Sequence, residues 1–457
     1  MNVSTCRLVD LPAVSAPATV NFLRWSRSQH RFWDEQAAEL GPAYRLAMPK
    51  WGDTAVLTGA EAARQVLKLA PEVAHAGEAY ATVLTQSSGI HSVIVLDEAD
   101  HLRMRKLILS PLHGQRLANW EDFAEQRTLD EVSQLPLHEP ISLRPIFERI
   151  TMSVISKIVF GMRDPARGEE LRMLLPTLFN LSRPVGIGYI SRLGRIDLGP
   201  WSPWGAFRRK RDRIDELIYS EIRERRTETP AEGDRSDLLS MLLEARDEEG
   251  AGMSDVELRD QLVTMLVAGH ETTATSTAWA VERLVRSPEV MSRLVDEVDA
   301  GRTEYLDAVI KETMRVRPVV AQIGRILTTE TVIDGCVLPA GTMIIIPMTV
   351  IHRDPDLYPD PQVFRPERFL DEDPGGYTWL PFGGGVRRCP GASLALLEMR
   401  VVLRTILRNV TLAADRPESE QPVTRGITIV PDRSGRVVVT SNRSSRDGHR
   451  PEQVAAA

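Results

Sequence analysis

Phe382-Gly383-Gly384-Gly385-Val386-Arg387-Arg388-Cys389-Pro390-Gly391 is the most informative stretch of the chain. Three successive glycines cost backbone entropy and stand where a chain must turn sharply or approach something closely. A single cysteine follows, then Pro390 and Gly391, then a helix-compatible run from Ala392 to Leu407. Cys389 therefore lies just before a helix N-terminus, where the dipole and free N–H groups favour a thiolate. A thiolate on a stiff loop is a nucleophile or a metal ligand. A buried structural cysteine beside a Gly-rich turn has the same local pattern.

Upstream, most of the chain from Glu61 to Arg317 reads as helix, rich in Ala, Leu, Glu and Arg, with apolar residues every three or four positions. The clearest helix starts at Ser254, where Ser254 and Glu257 have capping-box spacing, and runs to Ser287 before Pro288. That length is roughly 50 Å at about 1.5 Å per residue, enough to cross a domain. After Pro318 the texture changes. Arg325–Val332, Met343–Met348, Ile427–Val430 and Val437–Thr440 are short and β-branched, with Pro and Gly between them, which predicts short strands. The fold class is mainly α with small β-sheets, as a single domain over residues 1–440. Ser441–Ala457 is polar and rich in Arg and Ser, and reads as a disordered C-terminal tail. Thr227–Ser236 reads as a surface loop between helices.

The 457 residues carry 56 Lys and Arg against 63 Asp and Glu, a formal net charge of −7. This mild acidity argues against nucleic acid as a partner, since nucleic-acid-coating chains carry a basic excess. The longest apolar runs, such as Met343–Met348, are far short of the roughly 18 residues that span a bilayer. Met1–Arg24 lacks the charged start and apolar stretch of a signal peptide. No membrane anchor is expected, and the localisation reads as cytoplasmic. Three cysteines cannot build a disulfide scaffold. Cys336 reads as a small apolar filler and Cys6 as part of a loose N-terminus.

The loop's pattern is Phe, two free positions, Gly, one free position, Arg, one free position, Cys, one free position, Gly. It strongly resembles the haem-binding loop of the cytochrome P-450 superfamily. The resemblance runs from about Gly41 to Val439 and includes Pro339-Ala-Gly-Thr342 and His352-Arg-Asp-Pro355. It implies the cytochrome P-450 fold, with a long central helix over haem b, and makes Cys389 the axial thiolate of the haem iron. Phe382 would pack near the sulfur, and Arg387 would reach a haem propionate. No Cys-x-x-Cys-His motif for covalent haem attachment is present.

Three further constellations acquire roles through the same resemblance. Glu312 and Arg315, spaced i to i+3, share a helix face, which by spacing alone is an ordinary ion pair. With Arg368 of Pro366-Glu-Arg-Phe369 they match the family's structural network behind the haem. Ala268-Gly-His-Glu-Thr-Thr273 interrupts an apolar stretch of the long helix. Gly269 there costs roughly 1 kcal/mol relative to Ala, and Thr272 can bond back to a carbonyl and bend the helix. The family's oxygen-activation motif fits these residues, with Thr272 as the hydrogen-bonding alcohol, Glu271 as the proton relay and Gly269 opening a groove. His270 is a free position of the motif. His101 and Arg105, four apart, match a propionate-gripping pair, and Arg325 matches a further propionate ligand.

The implied activity is a haem-thiolate monooxygenase that inserts one oxygen atom of O2 into a hydrophobic small molecule, such as a terpenoid, steroid, fatty acid or polyketide. After Val439 no length remains for a flavin or iron–sulfur domain. Electrons are therefore expected from a separate ferredoxin and ferredoxin reductase, with NAD(P)H used indirectly. Arg400, Arg404 and Arg408, with Arg388, predict either a basic docking face for that ferredoxin or a solvated helix face. Alternatives on the same haem are a peroxygenase or a redox-neutral enzyme, which would not need the Glu271–Thr272 pair, and a non-catalytic haem or ligand sensor. By the family's layout, pocket candidates are 79–95 and 178–198, then Val263, Leu266, Val267 and Ala268. Val319, Val320, Ile323, Ile427 and Thr428 complete that set.

Overall fold

The computed structural model describes residues 6–109, 120–161, 165–179, 198–199, 201–227, 237–370 and 375–443. Of the expected loop at 227–236, only Thr227 falls within them, as the last residue of the helix Pro203–Thr227. Most of the pocket segment 178–198 lies outside the described residues.

The central helix is Asp255–Leu284, 30 residues long. Its capping box forms as expected: the Ser254 N–H donates to Glu257 Oε2 at 2.8 Å, and the Glu257 N–H donates to Ser254 Oγ at 3.3 Å. It ends three residues before the expected Ser287, because a residue that precedes proline is pushed out of the helical region. Pro288 instead opens the next helix, Pro288–Asp299. The helix Arg144–Phe160, the helix Glu304–Val316 and the helix Ala392–Asn409 all pack against the central helix. Leu258, Leu262, Leu266, Ala274 and Ala278 of the central helix are wholly buried in that core.

A five-stranded sheet forms a second layer, in the order Ala43–Met48, Gly52–Leu57, Met343–Pro347, Gln322–Leu327, Ala74–His75. Ala43 opposes Leu57 in the first hairpin, and Ala55 opposes Ile344 across a parallel pairing. The first two strands were not anticipated, although Tyr44, Leu46 and Met48 alternate inward, the period-two signal of a half-buried strand. The expected strand Arg325–Val332 is split in two. Gln322–Leu327 joins the large sheet, while Thr331–Ile333 pairs with Cys336–Leu338.

Two expectations about the chain ends are corrected. Cys6 is not loose: Cys6–Arg7 pairs in parallel with Cys336–Leu338, setting Cys6 opposite Cys336 at a Cα–Cα distance of 4.5 Å, joined as a disulfide. Partners 330 residues apart cannot be matched from spacing. The tail does not begin at Ser441. The strand Arg436–Asn442 includes that residue, and the Arg443 N–H donates to the Asn409 carbonyl at 2.7 Å. Among the described residues, no helix is long and apolar enough to cross a membrane.

Candidate functional site

The glycine-rich loop folds under steric constraint. Gly383 and Gly385 have φ of +66° and +62°, and a Cβ on Gly385 would collide with the Leu67 carbonyl. Only glycine meets both demands at Gly385. The Cys389 N–H donates to the Phe382 carbonyl at 2.8 Å and closes the loop. The Phe382 ring meets Trp379 edge-on at 5.9 Å. Cys389 is exposed, yet its thiol lies deep in the protein, so it lines an internal chamber. Burial pushes its pKa up, opposed by the Gly391 N–H and by Arg105 and Arg388. The expected helix-terminal stabilisation of a thiolate is present, but desolvation outweighs it. A metal cation at the sulfur would complete the ionisation.

A cluster of cations borders the chamber. His101 and Arg105 come from the helix Glu98–Leu109, Arg325 from the strand Gln322–Leu327 and Arg387 from the loop. Burial, then Arg387, Arg105 and Arg325, push the His101 pKa down to about 3. Its buried Nδ1 has no hydrogen-bond partner. Burial lowers the pKa of Arg105 and Arg325, and brings Arg387 down to about 10. Arg387 donates to the Leu96 carbonyl at 2.6 Å and to Asp97. Asp97 is the carboxylate that offsets these cations, and it leaves most of their charge unmatched.

The central helix is buried around the motif except on one stripe. Ala268 is exposed, while Met265 and Thr272 are half-buried. These positions follow helical spacing and share a face. Val263, Leu266 and Val267, expected at the pocket, are instead core residues. Met265 was missed, and counting back from Thr272 by helical turns would have found it. Thr272 Oγ1 donates to the Ala268 carbonyl at 2.8 Å, as anticipated. A Cβ on Gly269 would stand 3.2 Å from Ile155 Cδ1. Gly269 thus admits the neighbouring helix Arg144–Phe160, a packing role that the sequence did not suggest. His270 is buried, bonds the Leu266 carbonyl through Nδ1 at 3.1 Å and is pushed down to about 4 by burial.

Burial pushes the Glu271 pKa up, against Arg425 and Arg144. Thr428 Oγ1 donates to Glu271 Oε1 at 3.4 Å, and Arg144 Nη1 stands 4.0 Å from the same oxygen. Arg144 is paired with Glu148, and Arg425 lies 3.9 Å from Glu148. The Arg425 side chain is 40% exposed, so a continuous polar path links Glu271 to the surface.

Glu312 and Arg315 are wholly buried and doubly bonded, at 2.6 and 2.7 Å. Arg368 Nε reaches Glu312 Oε1 at 3.2 Å. Arg315 Nη1 also donates to the His352 carbonyl at 2.7 Å, and His352 Nε2 accepts from the Leu380 N–H at 2.9 Å. His352 therefore connects the ion-pair network to the segment entering the Cys389 loop. The sequence marked His352 only as part of a fitting motif.

Known proteins match this architecture throughout. A cytochrome P-450 family model covers residues 12–436. The chain belongs to the cytochrome P-450 family. A Mycobacterium tuberculosis protein named cytochrome P-450 135B1 is 38% identical over 432 residues, 93% of this chain and 90% of that protein. Cytochrome P-450 138 of Mycobacterium bovis is 36% identical, covering 94% of this chain and 96% of its own. The retinoic acid-bound cyanobacterial CYP120A1 shares the fold, with a TM-score of 0.81 at 23% identity, over 96% of this chain and 100% of that one.

Membership makes this cytochrome P-450 a haem-thiolate monooxygenase, an oxidoreductase. Haem fits the residues present. The unpartnered His101 Nδ1 and the desolvated arginines suit two carboxylates, and the exposed Cys389 suits a metal at its sulfur. Three of the four arginines expected either to dock a ferredoxin or to face solvent have partners within the chain, while Arg388 is exposed. Arg400 is bonded to Asp307 at 2.8 and 3.0 Å, Arg404 to Glu121 at 2.9 Å, and Arg408 to the Val298 carbonyl at 3.0 Å. Arg400 and Arg404 are paired with carboxylates, and Arg408 keeps its charge on a backbone carbonyl.

Proposed function

We propose that this cytochrome P-450 inserts one oxygen atom of O2 into a hydrophobic small molecule, by hydroxylation or epoxidation. Electrons come from a separate ferredoxin and ferredoxin reductase fed by NAD(P)H. Cys389 would hold the iron, and His101, Arg105, Arg325 and Arg387 would hold the propionates. When bound, haem supplies the redox-active iron at which dioxygen is activated.

The observation that carries the reading is the acid–alcohol pair on the open stripe of the central helix. Thr272 Oγ1 donates to the Ala268 carbonyl, which leaves its oxygen lone pairs to accept a hydrogen bond from the open side of the stripe. Burial pushes the Glu271 pKa up, and Arg144, Glu148 and Arg425 link it to solvent. It returns protons to the chamber without admitting bulk water. The apolar Met265 and Ala268 on the same stripe favour a hydrophobic substrate.

The test is Thr272→Ala in a ferredoxin-reconstituted assay. The reduced, carbon monoxide-bound spectrum should be unchanged, while product per NAD(P)H falls about tenfold or more and hydrogen peroxide rises. Peroxide-driven turnover indifferent to Thr272→Ala, with no turnover through ferredoxin, would establish a peroxygenase instead. Cys389→His should replace the thiolate-type spectrum by an imidazole-type one.

A further inference from the structure

Asp97 stands where three parts of the haem site meet. Its Oδ1 accepts from the Gly77 N–H at 2.8 Å and its Oδ2 from the Glu78 N–H at 2.7 Å. These are the first two amides of the helix Gly77–Ser88, whose own N-cap residue, Ala76, offers no side-chain bond. A helix start with free N–H groups attracts a carboxylate, and here one arrives from twenty residues downstream. The same carboxylate accepts from Arg387 Nη2. Its backbone carbonyl accepts from the His101 N–H at 3.0 Å, starting the helix that carries His101 and Arg105. Gly77 allows the approach, since a Cβ there would collide with the carbonyls of Val95 and Leu96. Arg387 grips the Leu96 carbonyl from the other side at 2.6 Å.

The charges support a role toward haem. Arg105, Arg325 and Arg387 surround His101, and Asp97 offsets one of their three positive charges. The remaining two match the two carboxylates of one haem.

We propose that Asp97 is a positioning residue that couples haem seating to the helix Gly77–Ser88. It aims Arg387 at a propionate and caps that helix with the same carboxylate. Haem departure loosens the cap, and loss of the cap frees Arg387, because coupling between two sites is reciprocal. This inference rests on the haem reading above.

The test compares haem-loaded wild type, Asp97→Asn and Arg387→Met. Haem loss is followed by transfer to apomyoglobin, and amide hydrogen exchange is read at Gly77 and Glu78. In wild type, haem loading should slow exchange at both amides. In Asp97→Asn that haem-dependent slowing should disappear, and haem transfer should accelerate about tenfold or more, the scale for outer-shell partners of a metal site. Arg387→Met should abolish the same slowing while the Gly77 and Glu78 amides stay capped in both states. The ferric–ferrous midpoint potential should rise in Asp97→Asn, since a lost carboxylate no longer favours the more positive ferric state. A purely structural cap would leave the exchange at Gly77 and Glu78 indifferent to haem and to Arg387→Met. Haem transfer and exchange at wild-type rates in Asp97→Asn would overturn the proposal alone. A wild-type chain that takes up no haem would overturn the haem reading as well.

Discussion

Glu271 is largely buried, with an alcohol and a guanidinium within reach: Thr428 Oγ1 at 3.4 Å and Arg144 Nη1 at 4.0 Å. Burial raises its pKa, while Arg425 and Arg144 pull it down. Arg144→Met removes one of those restraints, so the Glu271 pKa must rise. The pH profile of product formation should move to higher pH, by about one unit for a charge at this separation. The carbon monoxide spectrum should stay as in wild type. A profile that does not move would remove Arg144 from the proton path. The types of the candidate residues were legible because each motif is local: Cys389, the Glu271–Thr272 pair, and Glu312 with Arg315. Arg144, Glu148 and Arg425 were not legible. Arg144 and Glu148 lie four apart on one helix, but Arg425 comes from a distant strand, the three meet Glu271 only in the fold, and each alone is one arginine or glutamate among many.

The elements show the same division between local and distant signals. The capping box at Ser254 gave the start of the central helix correctly, because two side chains and two amides decide it within four residues. Its burial pattern was harder to read. With Thr, Ala and Val on every side, hydrophobicity does not mark which stripe faces the core, and Val263, Leu266 and Val267 were assigned to the wrong side. Periodic charge on the helix Ala392–Asn409 left a docking face and a solvated face both open, and three of its arginines find partners on other helices. Arg400→Ala should therefore leave the salt dependence of ferredoxin titration unchanged. It should cost the fold about 0.2–1 kcal/mol, the range for a half-exposed pair with Asp307. A weakened ferredoxin interaction would restore the docking face. The Cys6–Cys336 link adds a second test at this scale. Unfolded, unreduced protein stripped of haem should titrate one thiol, Cys389, and reduced protein should titrate three. Three thiols before reduction would show that the strand pairing alone holds Cys6.

Across the whole molecule, buried titratable groups pull stability in opposite directions with pH. His30 and His270 are pushed down to about 4 and His352 to about 3, each chiefly by burial, from an ordinary 6.5. Between pH 6.5 and those values, unfolded chains bind protons that the folded state refuses, so stability falls as pH drops. Glu398 acts in the opposite sense. It is buried, its Oε1 has no partner, and its pKa lies well above the ordinary 4.5. The folded state keeps a proton there that the unfolded chain releases above pH 4.5, so stability is lost as pH rises through the folded value. Glu271 contributes in the same direction. In the shared window the two sets partly cancel, and the wild-type slope should be shallow. Glu398→Gln removes one opposing proton without changing shape. The variant should match wild type near pH 4.5 and gain about 1.4 kcal/mol per pH unit above it, until the folded pKa of Glu398 is reached. Urea unfolding of the haem-loaded protein at pH 5, 6 and 7 reads this directly. Parallel curves for the two proteins would mean that Glu398 is ionised in the fold, paired with a cation that its surroundings do not show.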